Sequence, residues 1–231
     1  MRNRILLLLL AASSFSAHAG RPMGTDDAGT VGDRQCQFEA WRERSTEARG
    51  WTLAPACGLG EFELGLEFGQ TKLPENEKES VQAMALKWAP EVLHFGPINL
   101  GAKAWTGRSR LKTEDDSGRW QGSEHGLLAL ASWDAGHGIN VHANLGGVRD
   151  RIAREYLHAT NLAVSWDANE RIQIFAEMMK QQHSPTTQAT GLRVWALPGQ
   201  VAVDITYARS AGVKDSDTYG IGFGWYGIFG N

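Results

Sequence analysis

From residue 36 onward, apolar and polar positions alternate along most of the chain. Phe62, Leu64, Leu66 and Phe68 stand between Glu61, Glu63, Gly65 and Glu67. Ile139, Val141, Ala143 and Leu145 stand between Asn140, His142, Asn144 and Gly146, and Tyr219, Ile221, Phe223 and Trp225 between Gly220, Gly222 and Gly224. A period of two places one kind of side chain on each face of an extended ribbon, and helical spacing fits these segments less well. The pattern predicts twelve strands, at 36–44, 51–57, 61–70, 81–88, 98–106, 120–133, 139–148, 156–166, 171–180, 189–197, 201–209 and 218–229. Alternation is weakest at 120–133, where Leu127, Leu128, Ala129, Leu130 and Ala131 run together. A short helix competes there, and the flanking glycines argue against it.

The connections sort by length. Those at 45–50, 71–80, 107–119, 149–155, 181–188 and 210–217 are polar and longer, whereas 58–60, 134–138, 167–170 and 198–200 are short and carry Gly, Pro, Asp or Asn. Only 89–97, with Pro90 and Pro97, breaks the rule. Alternation alone does not separate a soluble sandwich from a membrane barrel, but long loops at one rim and short turns at the other belong to a barrel. Trp51, Tyr156, Tyr207 and Tyr219 fall near the long-loop ends of their strands, and Trp88, Trp133 and Trp166 near the short-turn ends. That is where amphipathic rings meet lipid headgroups. The expected fold is all-β: a single closed antiparallel transmembrane β-barrel of about twelve strands, with both termini on the periplasmic side.

The start of the chain fits an exported protein. Arg2 and Arg4 precede the apolar run Ile5–Ala12, and Ala17-His18-Ala19 is a small-x-small cleavage site. The run is about half of the ~20 apolar residues a spanning helix needs. The domain plan is therefore a signal peptide at 1–19, a Gly- and Asp-rich segment at 20–35 that lies in the periplasm or folds into the lumen as a partial plug, and a barrel at 36–231. The 231 residues carry 23 Lys+Arg against 26 Asp+Glu; without Arg2 and Arg4 the balance is 21 to 26, a net charge of −5. This is not the charge of a nucleic-acid binder. A 42 % apolar content with 9 Trp excludes a disordered chain.

In the predicted register Glu63, Glu67, Lys87, Lys103, Glu124, Glu177, Arg193 and Asp204 point away from lipid and line the lumen. Mixed signs suggest a wall of ion pairs rather than a strongly selective pore. Gly65, Gly101, Gly146, Gly220, Gly222 and Gly224 either leave room in the lumen or mark bends. Cys36 and Cys57 bracket the first hairpin. The register that sets them opposite each other also pairs Phe38 with Pro55, Ala40 with Leu53 and Arg42 with Trp51. Opposed residues lie ~4.5–5.5 Å apart at Cα, within disulfide range, and an exported chain meets oxidising conditions. A Cys36–Cys57 bridge is expected.

The stretch Arg21-Pro22-Met23-Gly24-Thr25-Asp26-Asp27-Ala28, followed by Gly32-Asp33-Arg34-Gln35-Cys36 at the entry to the first strand, resembles the start of a bacterial outer-membrane transporter family, the meta-pathway of phenol degradation proteins. Glu61-Phe62-Glu63-Leu64-Gly65, Asn144-Leu145-Gly146 and the closing Gly220–Tyr226 stretch echo it. The chain is short for that family and ends Phe229-Gly230-Asn231 rather than on a terminal aromatic residue. The resemblance implies an outer-membrane barrel passing small, hydrophobic or aromatic molecules. Within its Arg21, Pro22, Thr25, Asp26 and Asp27 motif, the Thr-Asp-Asp element either binds a cation or forms a local Asx-type turn.

No G-x-S-x-G, H-E-x-x-H or P-loop occurs, and period-two neighbours such as His142 and Asn144, or Ser123 and His125, stand ~6.5–7 Å apart along a strand, so no pair is forced into hydrogen-bond reach. No enzyme, cofactor or metal site is expected. The expected partners are outer-membrane lipid, the barrel-assembly machinery and a small-molecule solute. Two functions remain open: a passive channel, or a non-transporting barrel that modifies lipid or supports the envelope.

Overall fold

The computed structural model describes residues 23–229; the signal-peptide reading, Arg21 and Pro22 lie outside the described residues. Its strands are β1 (Cys36–Ser45), β2 (Arg49–Leu59), β3 (Phe62–Lys72), β4 (Lys78–Trp88), β5 (His94–Phe95), β6 (Ile98–Lys112), β7 (Gln121–Gly136), β8 (Ile139–Asp150), β9 (Glu155–Asn169), β10 (Ile172–Gln181), β11 (Thr187–Leu197), β12 (Val201–Ser210) and β13 (Thr218–Ile228). Each long strand pairs antiparallel with the next. β13 returns to β1, and β4 pairs with β6, so twelve strands close into one barrel. Closure matters because an open edge would leave backbone N–H and C=O groups unpaired in hydrocarbon, at several kcal/mol each.

The twelve expected ribbons correspond to β1–β4 and β6–β13, and the ambiguous 120–133 stretch is the strand β7. β5 was not foreseen. It is a two-residue strand within the Pro90–Pro97 connection that pairs with Ile98 and Asn99, just past the point where β4 ends against Ala102. Several strands also run further than their apolar positions do: β6 reaches Lys112 and β2 begins at Arg49. Ladder bonds join backbones, so Thr, Arg and Ser at the rim pair as well as Leu does. The long connections shrink accordingly, 107–119 to 113–120 and 45–50 to 46–48. The rim with 113–120 and 211–217 is called the far rim; the other, where β1 begins and β13 ends, is the near rim.

The faces are sorted against the order of a soluble protein. Leu145 is 64 % exposed and Ile205 60 %, while Glu39 is fully buried and Lys103 is 1 % exposed. Phe62, Leu64, Leu66, Phe68, Ile221, Phe223 and Trp225 all face outward. Such a surface suits hydrocarbon, with charge turned into the lumen. Outward rings bound the apolar band: Tyr207 and Tyr219 lie 5.4 Å apart toward the far rim, and Phe62 stacks on Trp88 at the near rim. The first hairpin has the register read from the cysteines, and Cys36 and Cys57 are joined with their Cα atoms 4.0 Å apart.

Candidate functional site

Strand register forces two lysines together inside the barrel. Lys87 on β4 is directly opposite Lys103 on β6, and both are buried. Like charges opposed across a ladder repel, and in the interior that repulsion is poorly screened. The N-terminal strap, residues 23–35, supplies the counter-charges. Asp26 takes Lys103 Nζ at 2.8 and 3.0 Å, and Asp27 takes Lys87 Nζ at 3.1 Å. Consecutive carboxylates therefore meet adjacent ammonium groups.

The route of the strap explains how it arrives there. Arg34 N–H donates to the Gly58 carbonyl, and Gly58 N–H to the Gln35 carbonyl. The backbone then crosses the inner face of β2 so closely that a Cβ at Gly58 would lie 1.8 Å from the Gly32 carbonyl oxygen. Only glycine leaves that passage open. Deeper in, Val31 N–H donates to Glu63, and Ala28 packs fully buried among Ala85, Trp105, Leu128, Leu130 and Val148. Asp26 exchanges two hydrogen bonds with Asn144: its N–H donates to Oδ1, and its carbonyl accepts from Nδ2. The Gly24 and Thr25 N–H groups and the Thr25 hydroxyl all donate to the Glu177 carboxylate at 2.8 Å, and Met23 ends against Ala163 and Phe175. The strap thus touches inward positions from β3 round to β10 and crosses the lumen.

Both sequence readings of Thr25-Asp26-Asp27 can now be compared with the geometry. A local turn exists, because Gly29 N–H donates to Asp27 Oδ1 at 2.6 Å. The carboxylates serve as partners of Lys87 and Lys103, and among the described residues no cluster of three or more His, Cys, Asp or Glu could hold a metal. Burial works to raise the Asp27 pKa, but Lys87 and the Gly29 N–H outweigh it and hold the carboxyl below its ordinary value.

A second cluster occupies the wall of β1, β11, β12 and β13. Arg193 sits opposite Asp204 and grips it through Nε at 2.7 Å and Nη2 at 3.0 Å, both groups being buried. Its guanidinium lies 5.1 Å from the Trp195 ring and 5.2 Å from the Tyr226 ring. The Tyr226 hydroxyl accepts from Arg193 and donates to Glu39. Glu124, only half-buried, accepts from the Trp105 indole N–H at 2.8 Å. The Trp105 ring lies flat on Gly126, where a Cβ would come within 2.0 Å. Glu67 is buried on the inner face of β3.

Of the eight charged positions named from sequence, all inward-facing, seven are split among separate clusters, and Glu67 is buried on β3. Lys87, Lys103, Glu63 and Glu177 meet through the strap, Arg193 and Asp204 meet each other, and Glu124 meets Trp105. Sequence reasoning missed Glu39, although Gln37, Glu39 and Glu43 alternate with Phe38 and Ala40. It also missed Tyr226, which shares the parity of Gly220, Gly222 and Gly224. The Ser132–His142 pair, 2.8 Å between Oγ and Nδ1, lies across two strands and not along one. Ser132 Oγ also accepts the Ala28 N–H, so the strap occupies the atom that a hydrolase would use as its nucleophile.

No family model and no curated sequence matches the chain. Solved structures do match in shape. The KdgM porin in complex with disordered oligogalacturonate is 8 % identical with a TM-score of 0.62, over 82 % of this chain and 98 % of that one. The NanC porin is 14 % identical with a TM-score of 0.60 over the same shares. Outer membrane phospholipase A from Escherichia coli is 11 % identical with a TM-score of 0.50, over 85 % of this chain and 93 % of the other. Likeness at these identities is likeness of fold: the chain forms a closed twelve-stranded antiparallel barrel of the kind found in outer-membrane proteins.

Proposed function

We propose that this chain is a passive channel for small solutes in the outer membrane of a Gram-negative bacterium, and that its strap is a removable plug. In this reading the signal at 1–19 is cleaved after export, the barrel-assembly machinery inserts the barrel, and both termini face the periplasm. Movement is diffusion down a gradient, with passage set by width and wall charge. The observation that carries the proposal is the strap itself. It crosses the lumen, held by side chains that barrel closure does not require, as the strand ladder is complete without it. A porin of similar fold in complex with oligogalacturonate supports a polar small-molecule solute. The charged wall suits hydrated solutes better than greasy ones, and the phenol-pathway resemblance is specific only over residues 21–39 and diffuse elsewhere.

Planar-bilayer recording of the folded full chain tests this. The native protein should conduct weakly with brief openings, and Asp26→Asn/Asp27→Asn should raise the open fraction at least several-fold. Removing two lumenal acids should also move the reversal potential in a salt gradient toward anions. A folded barrel that stays silent in both forms defeats the channel reading.

A further inference from the structure

A second row of opposed cations lies on the outside of the barrel. Arg44 is opposite Arg49, Arg49 opposite Lys72, Lys72 opposite Lys78, and Lys78 opposite Lys112. Five cations thus stand side by side on five successive strands, β1, β2, β3, β4 and β6, and all five are exposed. Strands lie ~4.8 Å apart, so the row covers an arc of roughly 19 Å. Behind it on β6 follow Arg110 and Arg108, each with its guanidinium 5.1 Å from the Trp120 ring. The outward positions of these five strands include no Asp or Glu. Acids occur in the adjoining turns, at Glu47, Glu75, Glu77, Glu114, Asp115 and Asp116, and Glu43 and Glu79 project inward from β1 and β4. Among the described residues, none of these acids forms an ion pair with the five cations.

The depth of the row is fixed by its neighbours. Arg44 is also opposite the exposed Tyr219, which is opposite the half-buried Tyr207, so the cations continue the line of outward tyrosines at this rim. One step toward the middle of the barrel stand Arg42, Trp51, Gln70, Ser80 and Arg110; a further step reaches Leu53 and Phe68 on β2 and β3, and two further steps reach Met84 on β4. The row therefore lies just outside the apolar band, across a polar and aromatic margin of headgroup depth. Elsewhere at this rim no comparable run of directly opposed cations occurs on the described strands: Arg209 lies 3.8 Å from Asp217, and Arg149 donates to the Tyr156 hydroxyl.

We propose that Arg44, Arg49, Lys72, Lys78 and Lys112 form a docking surface for phosphate-bearing lipid headgroups in the leaflet at the far rim. The proposal rests on the membrane reading but not on channel activity. Opposed like charges destabilise a bare sheet, and lipid phosphates would neutralise them. Leu53, Phe68 and Met84, the first apolar outward positions below the row on β2, β3 and β4, would receive the acyl chains of the same lipid.

Native mass spectrometry of the full-length folded barrel tests this, with bis-phosphorylated lipid A, its dephosphorylated form and phosphatidylcholine as probes. The heat-modifiable gel shift verifies folding of each variant. The expected result is selective retention of the bis-phosphorylated lipid, weakened roughly tenfold in Lys72→Gln/Lys78→Gln and restored in Lys72→Arg/Lys78→Arg. Conductance unchanged in the glutamine variant would separate this surface from the channel. Equal retention of all three lipids, equal retention by native and glutamine forms, or complete displacement of lipid A by millimolar inorganic phosphate would overturn the proposal.

Discussion

Two rows of opposed cations occur in this barrel, and they are handled differently. Inside, Lys87 and Lys103 are matched by Asp26 and Asp27 from the same chain. Outside, Arg44, Arg49, Lys72, Lys78 and Lys112 have no partner among the described residues. The difference is one of solvent. A buried ammonium group without a counter-ion costs several kcal/mol, so the lumen has to bring its own acids. A cation at the rim keeps its water and can wait for an ion from its surroundings. The inner row is therefore intramolecular and part of the fold, while the outer one is open to partners.

The largest effect should come from unbalancing the inner row. Asp26→Ala removes the carboxylate that meets the buried Lys103 ammonium at 2.8 and 3.0 Å, and should weaken strap docking by up to about 3–5 kcal/mol. Limited proteolysis should then cut the chain between residues 23 and 35 under conditions where the native protein resists. Replacing both partners, Lys103→Met with Asp26→Leu, removes the charge and keeps the volume. It should restore most of the protection, since apolar substitutes for buried pairs are often neutral or better. If the double variant is as labile as Asp26→Ala, hydrogen bonds such as those of Asn144 and Glu177 hold the strap, and the contrast between the rows loses its electrostatic basis.

Acid offers a milder perturbation. Asp27 titrates below its ordinary 3.8, so its contribution is fully present above that value and is lost only as the pH falls through the lower folded-state value. Protease protection of the strap should persist from neutral pH to about 4 and decline below it. The smallest effect belongs to the outer row. Lys78→Glu breaks the run of like charges and should stabilise the lipid-free barrel in detergent by about 0.2–1 kcal/mol, seen as a higher temperature of the gel-mobility transition. A loss of stability there would mean that the cations already have partners.

Much of this architecture is legible in the chain, because alternation and strand register are local. The pairing of Cys36 with Cys57 follows from one hairpin, and the inward facing of Lys87 from its neighbours Leu86 and Trp88. What is not legible depends on several strands at once. The strap has no periodicity, and its place is set by Glu63, Lys87, Lys103, Ser132, Asn144 and Glu177 converging from six strands. The outer row is equally hidden. Each member reads as an ordinary charged residue beside a loop, and only four successive registers place the five in line. β5 escaped notice because two residues are too few to show any alternation.

The disulfide lies where the strap leaves the wall, since Gln35 and Gly58 are bonded beside Cys36 and Cys57. A strap released from the lumen would thus stay leashed to a riveted anchor point. Its return would be first order, indifferent to dilution, and driven by the high local concentration of a short tether. Such a stopper reseats itself.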